Sequence, residues 1–143
     1  MRFFVLIFVL TLASTTAAAL AAEMTVYKSP YCGCCAAWVT HVEDAGHTVK
    51  VVNTEDMDQV KQTLGVPGSL HSCHTAVVDG YLIEGHVPVA DIGRLLAERP
   101  EAKGLAVPGM PTGSPGMEMP ETDADRYNVI LFTAESGSVY TQY

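Results

Sequence analysis

Residues 24–42 read MTVYKSPYCGCCAAWVTHV, and this stretch decides the fold. Its first four residues predict a short strand, which the Ser29-Pro30 pair ends. An amphipathic helix follows, because apolar residues recur at a helical spacing along one face. The positions of that face are Cys35, Trp38, Val39, Val42 and Ala45. The sequence therefore places the C-x-x-C motif of Cys32 and Cys35 where a strand turns into a helix.

Outward from this junction, the remaining elements follow one another closely. Five are predicted from β-branched runs, helix caps and turns: a strand over residues 48–52, a helix from Asp56 to Gly65, strands over residues 75–78 and 81–83, and a helix that begins at Pro88. The Asp79-Gly80 pair between two strands is a strong hairpin signal. The resulting order, β-α-β-α-β-β-α, predicts a two-layer α/β domain. It is also the order of the thioredoxin fold, in which a C-x-x-C motif occupies the first strand-to-helix junction.

The N-terminal residues 1–22 have the features of a secretory signal peptide. Arg2 is positively charged, residues 3–12 are almost wholly apolar, and Ala19-Leu20-Ala21 fits the A-x-A cleavage rule. The apolar stretch is about half the roughly 20 residues that a membrane helix needs, so no membrane span is expected after cleavage. We therefore expect export to the bacterial periplasm, with a single domain over residues 23–143.

The C-terminal third has a different composition. Residues 103–121 are rich in Gly, Pro and Met, which predicts a loop without regular structure. Residues 127–143 are strand-like and are expected to return a terminal strand to the sheet edge. Two methionines of the loop, Met110 and Met117, carry thioethers, which are soft metal ligands.

The charge balance narrows the range of partners. The formal net charge is −8, and loss of Arg2 with the signal peptide makes the mature chain more negative by one unit. No basic patch compensates, so a nucleic acid is not expected as a partner.

Four cysteines carry the chemistry: Cys32, Cys34, Cys35 and Cys73. An oxidising compartment permits disulfides, but a Cys32–Cys35 bond closes almost no loop and would stabilise the fold little. A helix N-terminus favours thiolate, which is both a nucleophile and a soft-metal ligand. Three interpretations are open: a metal site, a thiol-disulfide oxidoreductase in which Cys32 attacks and Cys35 resolves, and a structural disulfide.

The third cysteine of the motif favours metal binding. Cys34 has no role in dithiol exchange, whereas a metal site gains from another thiolate. In a thioredoxin-like fold the loop entering the third strand packs against the C-x-x-C motif, which would bring Cys73 and His74 to it. His86, at the predicted start of the last helix, is a further candidate. The alternative is that it is an ordinary histidine at a helix start, with no part in the site.

The donor set favours copper among the soft metals. Sulfur-rich sites select Cu(I), zinc or iron–sulfur clusters. Zinc usually takes two spaced pairs of ligands, so one triplet of cysteines and a distant fourth fit it less well. An iron–sulfur cluster would have to be assembled before export, which a Sec-type signal peptide disfavours. Thiolates can bridge several Cu(I) ions, and an equal number of each would leave no net charge to bury.

The chain resembles the CopG-type copper-resistance proteins of the bacterial periplasm, a family of predicted metal-binding proteins. Four stretches in the same order carry the resemblance: residues 31–35 (YCGCC), 72–76 (SCHTA), 84–88 (EGHVP) and 104–118 (GLAVPGMPTGSPGME). His71 and Met119 lie outside the pattern. The resemblance implies a thioredoxin-like fold, a role in surviving excess copper, and copper bound through Cys32, Cys34, Cys35 and Cys73. It also implies other periplasmic copper-handling proteins as partners, and it leaves storage, transfer and redox cycling of copper as alternatives.

Overall fold

The computed structural model describes residues 21–143. The predicted signal peptide lies outside these described residues, except for Ala21 and Ala22. Within the range, the chain forms, in order, β1 (Glu23–Lys28), α1 (Gly33–Asp44), β2 (Thr48–Asn53), α2 (Met57–Leu64), β3 (Thr75–Val78), β4 (Tyr81–Glu84), α3 (Val89–Glu98), β5 (Gly104–Ala106), β6 (Asn128–Phe132) and β7 (Gly137–Gln142), with a 3-10 turn at Gly68–Leu70. None of the helices in this part of the chain has the length and hydropathy needed to cross a bilayer.

The predicted element order is confirmed from β1 to α3. At the start of α2, the Asp56 carboxylate accepts a hydrogen bond of 3.0 Å from the Gln59 N–H, and Gly65 ends the helix with a φ of 74°. Asp79 and Gly80 both have positive φ angles, 48° and 86°, which suits the tight β3–β4 hairpin. These local signals therefore act in the fold as the sequence indicates.

All seven strands form one sheet, in the order β2-β1-β3-β4-β5-β6-β7. The β1–β2 and β4–β5 pairs are parallel, and the other pairs are antiparallel. The register places Tyr27, Thr75, Glu84 and Ala106 in one row across four strands. Because β3 runs against its neighbours, its start lies at the same edge as the ends of β1, β4 and β5. The loops that follow β1, β4 and β5 and the loop that precedes β3 therefore meet at the same end of the sheet.

Helices cover both faces of the sheet. The larger core cluster joins α1 and α3 to one face through buried residues that include Trp38 and Leu95. The smaller cluster lies on the opposite face, on the side of α2, and contains Leu82 and Phe132. The sequence predicts two layers, and the structure adds this smaller layer because alternate side chains of β4 to β6 point away from α1 and need cover.

The prediction of no regular structure in residues 103–121 is wrong at β5. A side chain at position 104 would overlap the carbonyl oxygen of Leu82, so Gly104 is what allows β5 to pair closely with β4. Leu105 and Ala106 are fully buried. Residues 127–143 supply the antiparallel strands β6 and β7, with β7 at one edge of the sheet.

Candidate metal centre

Three cysteines gather at the N-terminus of α1. Cys32 is the N-cap residue, and its Sγ accepts a hydrogen bond of 3.3 Å from the Cys35 N–H. Cys32 and Cys35 form a disulfide, whereas Cys34 is a free thiol whose Sγ lies 3.5 Å from the Cys32 Sγ. Cys35 is fully buried, and the other two are half-buried. The helix start thus presents a dithiol–disulfide couple beside one more thiol.

The fourth cysteine reaches the same place from the loop before β3. Cys73 is half-buried and free, and its Sγ lies with those of Cys32, Cys34 and Cys35 within a mutual distance of 4.8 Å. The sheet register explains this meeting, since Tyr27 at the end of β1 pairs with Thr75 at the start of β3. The structure therefore brings together all four cysteines that the sequence singles out.

Cys73 also belongs to a second group, with His74 and His86. Its Sγ lies 3.0 Å from Nε2 of His86 and 3.4 Å from Nδ1 of His74. The Nδ1 of His86 lies 2.8 Å from the Pro115 carbonyl oxygen and donates to it. In a neutral ring, Nε2 then carries the lone pair and faces Cys73. His86 is thus part of the site, beyond its default role at helix entry.

His74 is a buried histidine with an unsatisfied nitrogen. It is fully buried, its ring centroid lies 4.5 Å from that of Trp38, and Nε2 has no hydrogen-bond partner among the described residues. Burial lowers the pKa of His74 well below its ordinary value, and repulsion from the protonated form of His86, from Lys61 and from Lys28 adds to this effect. Burial also lowers the pKa of His86. Both shifts favour the neutral imidazole, the form that binds metals.

The Cys73 thiol is held in its protonated form. Burial, reinforced by the neighbouring Cys34, raises the pKa of Cys73 to about 12. A metal that binds Cys73 must therefore displace its proton, since the thiolate is the ligand.

A loop formed by residues 109–118, here the 109–118 loop, crosses the site. At its start, the Gly109 N–H donates to the His71 carbonyl oxygen over 3.2 Å, and the Ser72 hydroxyl donates to the Gly109 carbonyl. In its middle, Pro115 holds His86 as described. The loop is thus hydrogen-bonded to the turn that carries Cys73 and to the His86 ring.

The end of the same loop rests on α1. Gly116 has a φ of 84°, and a Cβ there would lie 2.7 Å from both the Cys34 carbonyl oxygen and the Trp38 backbone nitrogen. Two residues on, the Glu118 carboxylate pairs with His41 at 2.8 Å. The loop therefore lies against the first turn of α1, directly beside the cysteines.

The two candidate methionines lie on this loop. Met110 is 53% exposed, and Met117 is half-buried. Neither is needed to complete the four-cysteine group or the Cys73, His74 and His86 group. Their thioethers are available from the covering loop rather than from the buried centre.

Sequence reasoning missed a buried ion pair beneath the site. Lys61 of α2 and Glu84 of β4 are 3% and 0% exposed, and Lys61 Nζ lies 2.5 Å from Glu84 Oε1. One signal was available: Lys61 follows Met57 by four residues, on the inward side of α2. Charged residues are nonetheless expected at the surface unless they are paired.

Comparisons with known proteins show which proteins the chain is similar to. Residues 70–117 match a family model described as "Protein of unknown function, DUF411". A search of curated proteins finds no match. Two solved structures are similar to the chain at 46% identity. One is named "Copper resistance protein copG- Form 2", with a TM-score of 0.81 over 87% of this chain and 99% of that one. The other is named "Copper resistance protein copG- Form 1", with a TM-score of 0.80 over 87% of this chain and 98% of that one.

Proposed function

Because the chain belongs to the family of the copper resistance protein CopG, we propose that it binds copper and protects a bacterial cell against excess copper. One observation carries the proposal: the sulfur atoms of all four cysteines lie within 4.8 Å of one another. Sulfur-rich donor sets select soft ions such as Cu(I). The signal-peptide features of residues 1–22 support a periplasmic location.

Copper is the cargo of this site, and the donors suit several ions better than one. In the reduced chain the four cysteines supply thiolates that bridge neighbouring Cu(I) ions. Neutral His74 and His86 extend the donor set on the side of Cys73, and thioethers of Met110 and Met117 add soft donors from the 109–118 loop. Each thiolate neutralises one Cu(I) charge, so a bridged cluster avoids the cost of burying net charge.

Zinc is the main competitor for such a site. With Zn–S bonds of about 2.3 Å, four sulfurs at these separations could also surround one tetrahedral zinc ion. The names of the relatives and the supply of imidazole and thioether donors beyond the four thiolates favour copper. Offered both metals, we expect the reduced protein to retain copper in preference to zinc.

The disulfide sets a condition on binding. A sulfur atom in a disulfide has no thiolate charge, so coordination by all four cysteines requires two-electron reduction of the Cys32–Cys35 bond. In the disulfide form, the free thiols of Cys34 and Cys73 and the two imidazoles remain as donors. The redox state of one bond therefore decides which donors copper meets, under either sequestration or redox cycling.

The reduced protein is expected to retain more Cu(I) per chain than the disulfide form, because it offers two more thiolates. The measurement is an anaerobic Cu(I) titration of both forms, followed by desalting and elemental analysis. A double variant, Cys32→Ser with Cys35→Ser, is the matched control and should retain the smaller amount with or without reductant. Equal retention by both forms of the wild-type protein would exclude Cys32 and Cys35 as ligands.

The same disulfide favours a second candidate function, thiol-disulfide exchange. Cys32 is half-buried rather than fully buried, so a partner thiol has some access to it. Against this function, the Cys34 thiol lies 3.5 Å from Cys32 and would compete for the disulfide. An insulin reduction assay separates the two: turnover that persists when Cys73 is replaced by serine would favour the oxidoreductase.

A further inference from the structure

We propose that the buried Lys61–Glu84 pair positions the turn of residues 72–75, and so fixes Cys73 against His86 for copper binding. The inference rests on the proposed function. It assigns no ligand role to either charge: both are positioning residues. Their side chains lie on the face of the sheet that α2 covers.

Glu84 holds both ends of the turn. Its Oε1 accepts a hydrogen bond of 2.7 Å from the Ser72 N–H, and its Oε2 accepts one of 2.6 Å from the Thr75 hydroxyl. Lys61 Nζ donates to Glu84 Oε1 and, over 3.0 Å, to the Thr75 hydroxyl oxygen. Every residue between these two anchors is a candidate donor, namely Cys73 and His74.

The backbone directly after Glu84 links the turn to His86. Glu84 ends β4, and the next N–H, that of Gly85, donates to the His74 carbonyl oxygen over 3.0 Å. Gly85 has a φ of 72°, and any side chain there would overlap the Ser72 side chain. The turn and the end of β4 are thus packed backbone to backbone. This packing sets the 3.0 Å separation between Cys73 Sγ and His86 Nε2.

Stability alone does not account for the pair. Removing two charges from water is costly, and a buried ion pair is often no more stable than well-packed apolar side chains. Fixing a geometry is a use that apolar side chains could not serve, because only a carboxylate accepts from both Ser72 and Thr75. Hydrogen-bond partners behind metal ligands typically change metal affinity by about 10- to 100-fold.

The test uses three variants of the full chain. Glu84→Gln removes the carboxylate charge, and Lys61→Met removes the ammonium. Thr75→Val removes the hydrogen bonds of the hydroxyl with Glu84 and Lys61 without removing a charge. The matched control is Asp91→Asn: Asp91 is also buried, but it binds Thr141 and Tyr143. If Glu84→Gln does not fold, the milder Thr75→Val still decides the matter.

Two readouts are needed. In the copper-free protein, peptide mass spectrometry gives the alkylation rates of Cys73 and Cys34 separately. We expect the three variants to raise the Cys73 rate, leave the Cys34 rate unchanged and weaken Cu(I) retention by about 10- to 100-fold. Asp91→Asn should change none of these.

The outcomes separate this inference from the proposed function. A Cys73 alkylation rate at the wild-type level in folded variants would overturn the positioning role, whatever copper does. If the wild-type protein retains no copper, the proposed function fails, and with it the purpose inferred for the pair. A faster Cys73 rate in Asp91→Asn as well would reduce the effect to general loosening and would also overturn the inference.

Discussion

Replacement of Cys73 by serine is expected to abolish copper retention. Among the described residues, Cys73 alone belongs to both donor groups, the four-cysteine group and the group with His74 and His86. The loss should exceed the about 10- to 100-fold effect of removing a supporting partner, because a ligand itself disappears. The measurement is competition for Cu(I) against a chelator of known affinity.

Two comparison variants sharpen this result. Cys34→Ser removes a donor from one group only, so its loss should be smaller than that of Cys73→Ser. His71→Asn is the control. His71 lies on the same segment before β3 as Cys73, but its ring contacts the Val66 carbonyl oxygen and belongs to neither donor group. Copper retention by Cys73→Ser at the wild-type level would show that Cys73 is not a copper ligand.

Replacement of Gly116 by alanine is expected to lift the 109–118 loop from α1. The new Cβ would lie 2.7 Å from backbone atoms of Cys34 and Trp38, and the φ of 84° suits glycine. We expect a loss of about 1–3 kcal/mol in the free energy of unfolding from the backbone conformation alone, with the clash adding to it. Displacing the loop also removes the Pro115 carbonyl from His86, so bound copper should be released faster.

Gly109 supplies the matched control for this prediction. Its φ is 70°, but a Cβ at this position meets nothing within 4 Å. Gly109→Ala therefore carries the backbone strain without the clash, and it should lose stability without faster copper release. The measurements are denaturant unfolding and the rate of copper transfer to a chelator. Identical release rates for the two variants would show that contact of the loop with α1 does not retain copper.

The fold was predictable where local signals and tertiary packing agree. The Asp56 cap, the Asp79-Gly80 hairpin and the strand-to-helix junction at Cys32 all act within a few residues of the chain. β5 was missed because its three residues have strand character only through pairing with β4 and β6. Nothing local to Gly104, in a segment rich in Gly and Pro, indicates that pairing.

The site was predictable in its sulfurs and less so in its surroundings. The position of Cys73 was predicted by analogy with the thioredoxin fold, and the pairing of β3 with β1 gives its physical reason. The orientation of His86 depends on the Pro115 carbonyl, 29 residues away along the chain, and so has no local signal. Burial of Lys61 depends on Glu84, 23 residues away, for the same reason.

The most direct test of copper binding by the cysteine cluster is X-ray absorption at the copper edge. The reduced protein is loaded with Cu(I) under anaerobic conditions and desalted before the measurement. We expect a first coordination shell dominated by sulfur, with copper–copper scattering from thiolate-bridged ions, and a loss of this sulfur shell in Cys73→Ser. A first shell of nitrogen and oxygen alone, with all four cysteines still open to alkylation, would contradict a cysteine-built copper site.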